Sequence, residues 1–330
     1  MRIYFAPMEG VTDAVYRRVH RRHFDGVDKY FLPFISPSHS MTFNRREKFD
    51  MSPEQNASMP AVPQILTNDE TYFERLSAIL RDLGYREVNL NLGCPSGTVT
   101  AKGKGSGLLR EPDRLKLFLD GIFAHPILPV SVKTRIGYDD PGEWPALWSL
   151  LREYPFLEII LHPRTRQEFY TGTPHREACD LADKPFFYNG DVFTPEDGRQ
   201  ILDAFPRAQG LMLGRGLVAN PALAQEMWGG EGLSVEALRS FHDDLYSEYL
   251  RWWPESAVVG RMHLMMKYIC SCFEDCGRVR RMLRKSVTPA EYWEAAAILF
   301  HECRLSSRPA FRLDVLLEKN RKDEGDVSFF

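Results

Sequence analysis

The residue of this chain best placed for chemistry is Cys94, set in Asn89-x-Asn91-x-Gly93-Cys94-Pro95. Val88, Leu90 and Leu92 alternate with polar neighbours, the period of a strand, and the segment then enters a loop carrying Gly97, Gly103, Gly105 and Gly107. A thiol therefore stands where a rigid strand gives way to a mobile loop. Such a position suits a group that must reach a substrate, because binding and catalytic residues concentrate on loops held by a scaffold. The alternative for a lone cysteine is a small apolar residue packed at a strand end.

The elements that would position it alternate along the chain. Strand patterns fall at residues 2–7, 29–35, 61–66, 87–92, 129–135, 158–162, 185–189 and 210–214, each a β-branched or aromatic run bounded by Gly, Pro or Asp. Helical patterns fill most gaps, most clearly at 12–23, 69–83, 112–124, 141–153 and 195–204. Thr194, Pro195 and Asp197 supply a cap, a first-turn proline and an acidic first turn for the last of these. Eight such repeats within about 225 residues predict a (β/α)8 TIM barrel, with a doubly wound open sheet as the structural alternative. In a barrel, functional groups belong at the C-terminal ends of the strands. There the chain places Pro7 and Met8, Gln64, Asn91 and Cys94, Lys133 and Arg135, His162 and Arg164, Asn189-Gly190-Asp191, and Gly214-Arg215-Gly216. Any one of them has an ordinary structural explanation; polar groups at one end of nearly every strand point to a site.

With 330 residues, 44% hydrophobic and 26% charged, the chain can form one large domain and a smaller one. Mean hydropathy is −0.34 and no apolar run reaches membrane-spanning length. The start, MRIYFAPMEG, reads as a strand rather than a secretion signal, and six scattered cysteines do not make a disulfide framework, so a cytoplasmic location is expected. The formal net charge of −3 does not announce a nucleic-acid binder, but residues 261–312 hold ten Lys and Arg against five Asp and Glu. Strand signals stop after Asn220-Pro221, residues 227–232 read as a glycine-rich linker, and 234 to about 317 is helical in pattern. The expected division is a catalytic barrel over 1–228 and a helical domain over 229–330, with a polar tail at 319–327. Cys270-x-Cys272-x3-Cys276 has no second ligand cluster and reads as packing rather than metal binding.

The run through Cys94 resembles the Asn-x-Gly-Cys-Pro motif of the tRNA-dihydrouridine synthases, and Lys102-Gly103-Lys104-Gly105-Ser106-Gly107-Leu108-Leu109 continues the likeness. Further matches follow in order from Ala6 to about Leu223, with a weaker resemblance beyond. The resemblance implies an FMN enzyme that reduces a uridine of tRNA, with NADPH as reductant, acting as a monomer. Asn189, Gly190, Asp191, Gly214 and Arg215 would then hold the cofactor phosphate, where barrels often bind phosphate after the seventh and eighth strands. Lys133 would place positive charge near the ring atoms that become negative on reduction, Gln64 would meet the pyrimidine edge, Pro7 and Met8 would lie against the ring, and His162 would donate to it. His162-Pro163-Arg164 departs from the family pattern, in which many members carry glycine at the middle position. Hydride would go to C6 of the uracil and Cys94 would protonate C5. A thiol of ordinary pKa, about 8.5, keeps its proton at neutral pH, as that role requires. Asn91, Arg135 and Tyr170 would orient the base; Lys102, Lys104 and the basic run containing Arg280 and Arg281 would touch the RNA backbone.

Two other readings fit parts of the pattern. An FMN barrel acting on a small molecule would keep the cofactor residues but leaves the basic helical region without a use. A tRNA-binding module without chemistry leaves Cys94, Lys133 and His162 without one.

Overall fold

The computed structural model describes residues 1–312. Nine parallel segments, β1 (Arg2–Phe5), β2 (Lys29–Phe31), β3 (Ala61–Val62), β4 (Gln64–Ile65), β5 (Val88–Leu92), β6 (Val130–Gly137), β7 (Ile159–Thr165), β8 (Phe186–Tyr188) and β9 (Ala208–Leu213), form one sheet in the order β3-β2-β1-β9-β8-β7-β6-β5-β4. The pattern at 61–66 predicts a single strand, and Pro63 divides it, because proline has no N–H for the ladder. The two halves act as one stave: β3 pairs with β2 on one side, and β4 pairs with β5 on the other. The eight predicted strands thus close into a barrel, with helices packed around it. The 29–35 stave also shortens to β2, after which Ile35 bridges Ile65 alone.

Alternation along each strand sorts the core into two parts. Outward-facing Val88, Leu90, Leu92, Val132 and Leu161 join the apolar layer beneath the helices. Inward-facing Tyr4, Phe31, Val62, Ile160, Phe187 and Met212 fill the barrel interior, with the Tyr4 and Phe187 rings stacked 4.2 Å apart. Below them, at the N-terminal ends of the strands, charged groups close the floor. Tyr4 Oη donates to Glu158 at 2.6 Å, Arg2 reaches Glu158 at 3.0 Å, and Lys29 reaches Glu87 at 2.7 Å and Glu158 at 3.2 Å. Above the apolar layer the inward residues turn polar.

The outer helices start where their caps predict. Asp13, Asp69 and Thr194 each accept from a first-turn backbone N–H, and Thr194 forms a full capping box with Asp197. Beyond the barrel come the helices Val235–Leu250, Glu255–Ile269, Gly277–Lys285 and Pro289–Glu302, the last begun by the Thr288 capping box. The helical pattern read to 317 ends sooner in the described residues. From 303 the chain is no longer helical, Leu305 bridges Phe273, and the Ser306 N–H donates to Cys272 O at 2.9 Å. The tail expected at 319–327 lies outside the described residues. Cys270 and Cys276 are buried in the main apolar core, and Cys272 packs with Ala219 and Phe311.

The helical region grips the barrel through Asp13. This buried carboxylate caps the helix Ala14–His23 and accepts from Tyr249 Oη at 3.0 Å and Arg261 at 2.8 Å. The Phe241 ring adds edge contacts to Tyr16 and Phe24.

Candidate active site

Four neighbouring strands, β4 to β7, carry the polar upper layer. On β4 and β5 a chain of amides crosses the barrel interior: Asn91 Nδ2 donates to Gln64 Oε1 at 2.7 Å, Gln64 Nε2 to Asn89 Oδ1 at 2.7 Å, and Asn89 Nδ2 to Ser131 Oγ at 2.9 Å. These groups are buried, so each bond offsets a desolvation penalty of roughly 1–3 kcal/mol that an unpaired amide would incur. The far end of the chain does something further. Asn91 Oδ1 accepts from the backbone N–H of Gly93 at 3.0 Å and of Cys94 at 2.9 Å, which fixes the turn leaving β5.

Cys94 is half-buried on that turn. Burial pushes its thiol above the ordinary value of 9.0, against smaller lowering effects from the Ser96 amide, Arg135 and Lys133. The thiol therefore keeps its proton at neutral pH. The glycine-rich segment after it is less free than its composition predicts: Gly97–Thr100 is a helical turn, and Gly105–Arg110 is a 3-10 turn whose first five residues are buried.

Lys133 points into the same mouth from β6, and it has no hydrogen bond or ion pair among the described residues. Burial first, and then Arg135, pull its pKa down to about 7. Arg135 is wholly buried and spent on backbone, donating to Gly93 O at 2.9 Å and Thr165 O at 2.7 Å. Its guanidinium also lies 5.2 Å from the Tyr170 ring centre. His162 is buried on β7 and held well below its usual pKa by burial and by the field of Arg135, Lys133, Arg164 and Arg215. It is a neutral imidazole, able to donate through one nitrogen and accept through the other.

A second cluster forms where β7, β8 and β9 end. Asp191 receives Arg164 in a two-pronged pair at 3.0 and 2.6 Å, and Arg215 at 2.7 Å. Arg164 is fully buried and also donates to Thr171 O at 3.0 Å and Gly172 O at 2.6 Å. Arg215 lies 5.0 Å from the Tyr170 ring centre, so this ring contacts the guanidinium groups of both Arg135 and Arg215. Asn189 Nδ2 donates to Met212 O at 2.7 Å. Gly190 has no room for a side chain, since a Cβ would lie 2.4 Å from Tyr188 Oη; at Gly214 a Cβ would lie 3.6 Å from Met8 Sδ. The loops after β1 and β9 therefore meet, with half-buried Pro7 and Met8 on the same rim.

Of the predicted residues, the barrel gathers Pro7, Met8, Gln64, Asn91, Cys94, Lys133, Arg135, His162, Tyr170, Asn189, Gly190, Asp191, Gly214 and Arg215 at the C-terminal ends of its strands. Lys102 is exposed beside them, its carbonyl held by Asn68, while Lys104 is partly buried and donates to Ser36 at 3.2 Å. Arg280 and Arg281 lie on the helix Gly277–Lys285. Arg164 is visible in the sequence as a strand-end residue, but its part in holding Asp191 is not. Ser106, whose hydroxyl donates to Cys94 O, passes as one more small residue in a glycine run.

Four cationic side chains, Lys133, Arg135, Arg164 and Arg215, thus converge on one mouth, two of them held by Asp191. The family model of the dihydrouridine synthases matches residues 4–252. The chain belongs to that family. Among curated relatives of this oxidoreductase family, the tRNA-dihydrouridine(16) synthase of Pseudomonas putida is 28% identical, over 86% of this chain and 96% of its own length. The probable tRNA-dihydrouridine synthase of Staphylococcus aureus is 31% identical over 74% and 77%, and the tRNA-dihydrouridine synthase B of Pasteurella multocida 28% over 68% of each. The matched segment runs from within β1 through the rest of the barrel and the helix Val235–Leu250.

Proposed function

We propose that this chain reduces the 5,6 double bond of a uridine in tRNA, with FMN as cofactor and NADPH as the electron donor. The observation that carries the proposal is a cluster of cationic side chains with unused donors facing a proton-bearing thiol. Lys133 has no partner among the described residues, and Arg215 Nη1 is buried without a hydrogen bond. An anionic cofactor relieves both. Arg215 and the backbone around Gly190, Asp191 and Gly214 would take the FMN phosphate, with Asp191 and Arg164 holding Arg215 in place. Lys133 and neutral His162 would face the flavin ring, and Pro7 and Met8 would offer it an apolar surface. Bound there, reduced FMN supplies hydride to C6 of the uracil.

The side chains do the rest. Negative charge left on C5 and O4 is discharged when Cys94 gives its proton to C5, so one hydride and one proton add across the double bond. Asn91 and Arg135 fix the turn that carries the thiol, and with Tyr170 they would orient the base. A uridine inside folded RNA must be swung out to reach this mouth, at a cost of a few kcal/mol. In this proposal residues 1–228 carry the chemistry and 229–330 hold the RNA, with Lys102, Lys104, Arg280 and Arg281 among the groups that meet its backbone. The position-16 relative matches along nearly its full length. Position 16 is therefore the uridine we propose as target.

Two measurements test this reading. The purified protein should show a flavin absorption spectrum, and Cys94→Ala should keep that colour while its reduction of tRNA is severely slowed. Dihydrouridine mapping in tRNA from cells with and without the protein should show the loss of one site; an unchanged map rejects the activity, and a site other than 16 rejects the position.

A further inference from the structure

We infer that Ser106 is a positioning residue for the proton transfer, setting where the Cys94 thiol stands. The inference rests on the reading of Cys94 as the acid. Ser106 is wholly buried, and its hydroxyl donates to the carbonyl of Cys94 at 2.8 Å, while its backbone N–H approaches the same oxygen at 3.2 Å. Its neighbour Gly105 lies directly against Cys94. With φ at +57°, a Cβ there would stand 3.0 Å from Cys94 O and 3.1 Å from Cys94 Cβ. On the other side of the turn, Asn91 Oδ1 takes the Gly93 and Cys94 amides, Arg135 holds Gly93 O, and Arg166 donates to Pro95 O at 3.1 Å.

The thiol is thus cast between two walls with different duties. Asn91 and Arg135 belong to the mouth. Ser106 stands behind the turn, where its lack of exposure keeps it from substrate, so any effect it has must travel through Cys94. The Gly-Ser-Gly segment is accordingly a mould for the acid, in addition to carrying the lysines beside it. Gly107 fits the same role, since a Cβ there would lie 2.8 Å from Thr100 O and displace the helical turn Gly97–Thr100 that covers it.

The test uses the flavin-loaded protein and separates the two half-reactions by flavin absorbance. In Ser106→Ala, reduction of the flavin by NADPH should stay within about twofold of the parent, which also reports an intact fold. Reoxidation by tRNA should slow by about tenfold or more, as a misplaced reacting group predicts. Two readouts separate positioning from general damage: the solvent deuterium isotope effect on reoxidation should rise, and alkylation of Cys94 by iodoacetamide, followed by peptide mass spectrometry, should speed up. Parent-like behaviour of Ser106→Ala in all of these, with Cys94→Ala inactive, overturns the positioning role and leaves the acid in place. Equal slowing of both half-reactions overturns it as well. Full activity of Cys94→Ala removes the acid, and this inference with it.

Discussion

A proton donor must hold its proton until the moment of transfer. Burial gives Cys94 that property by pushing its thiol above the ordinary thiol range. A group that acts when protonated loses activity as pH rises through its pKa. Reoxidation of the flavin by tRNA should therefore stay level through neutral pH and fall only as pH rises past the ordinary thiol range, read by stopped-flow absorbance. A descending limb near 7 would shift attention to Lys133, which titrates at about 7 with no anion beside it. Lys133→Met should retain flavin but bind its reduced form less well. A redox titration would show a more negative potential, by about 30 mV for each 1.4 kcal/mol of stabilisation removed. Cys94, Lys133 and His162 were legible in the sequence because position marks them: each is a polar or reactive side chain on a barrel strand or just beyond its end. Ser106 was not, nor was the part Arg164 plays from its strand-end position, because their work depends on partners brought in by folding, Cys94 and Asp191, and neither residue type signals it.

Elements hold these residues through a few shared groups. Asp191, on the turn after β8, restrains one arginine from β7 and another from the turn after β9. Asp191→Ala leaves both guanidinium groups without their carboxylate, and flavin retention on dilution should weaken by at least about tenfold, or 1.4 kcal/mol. Asp13 plays a similar part between barrel and helical region. Asp13→Ala removes a helix cap and strands the partly buried Arg261, which should lower stability by about 3 kcal/mol in urea titration. The order of strands and helices was legible throughout, since hydrophobic period and capping residues act locally. What stayed hidden was set by tertiary packing. Nothing in the run 61–66 says that two neighbours would bond to its two halves on either side of Pro63. The glycines of 97–107 reported flexibility, whereas their smallness serves close approach of backbone to Cys94 and Thr100.

At the scale of the whole molecule, charge and access decide what can bind. On the helix Gly277–Lys285, Val279 and Leu283 face the core, while Arg278, Arg281, Arg284 and Lys285 are exposed with no ion pair among the described residues. A face of this kind meets phosphates at no desolvation cost to a partner carboxylate. Arg281→Glu with Arg284→Glu should weaken tRNA binding and reduce the slope of log affinity against log salt by about one for each phosphate no longer held, leaving flavin reduction by NADPH unchanged. The net charge of −3 says nothing of this surface, because a sum over the chain does not say where charges lie; the local count over residues 261–312 does.

The barrel floor has its own consequence. Glu158, Glu87, Arg2 and Lys29 pair across one end, and apolar and aromatic side chains fill the middle, so the polar layer above is open only toward the opposite end among the described residues. A nicotinamide and a flipped pyrimidine that both need the same side of that opening must take turns. Steady-state rates measured against both substrates should then give parallel double-reciprocal lines, the signature of ping-pong exchange.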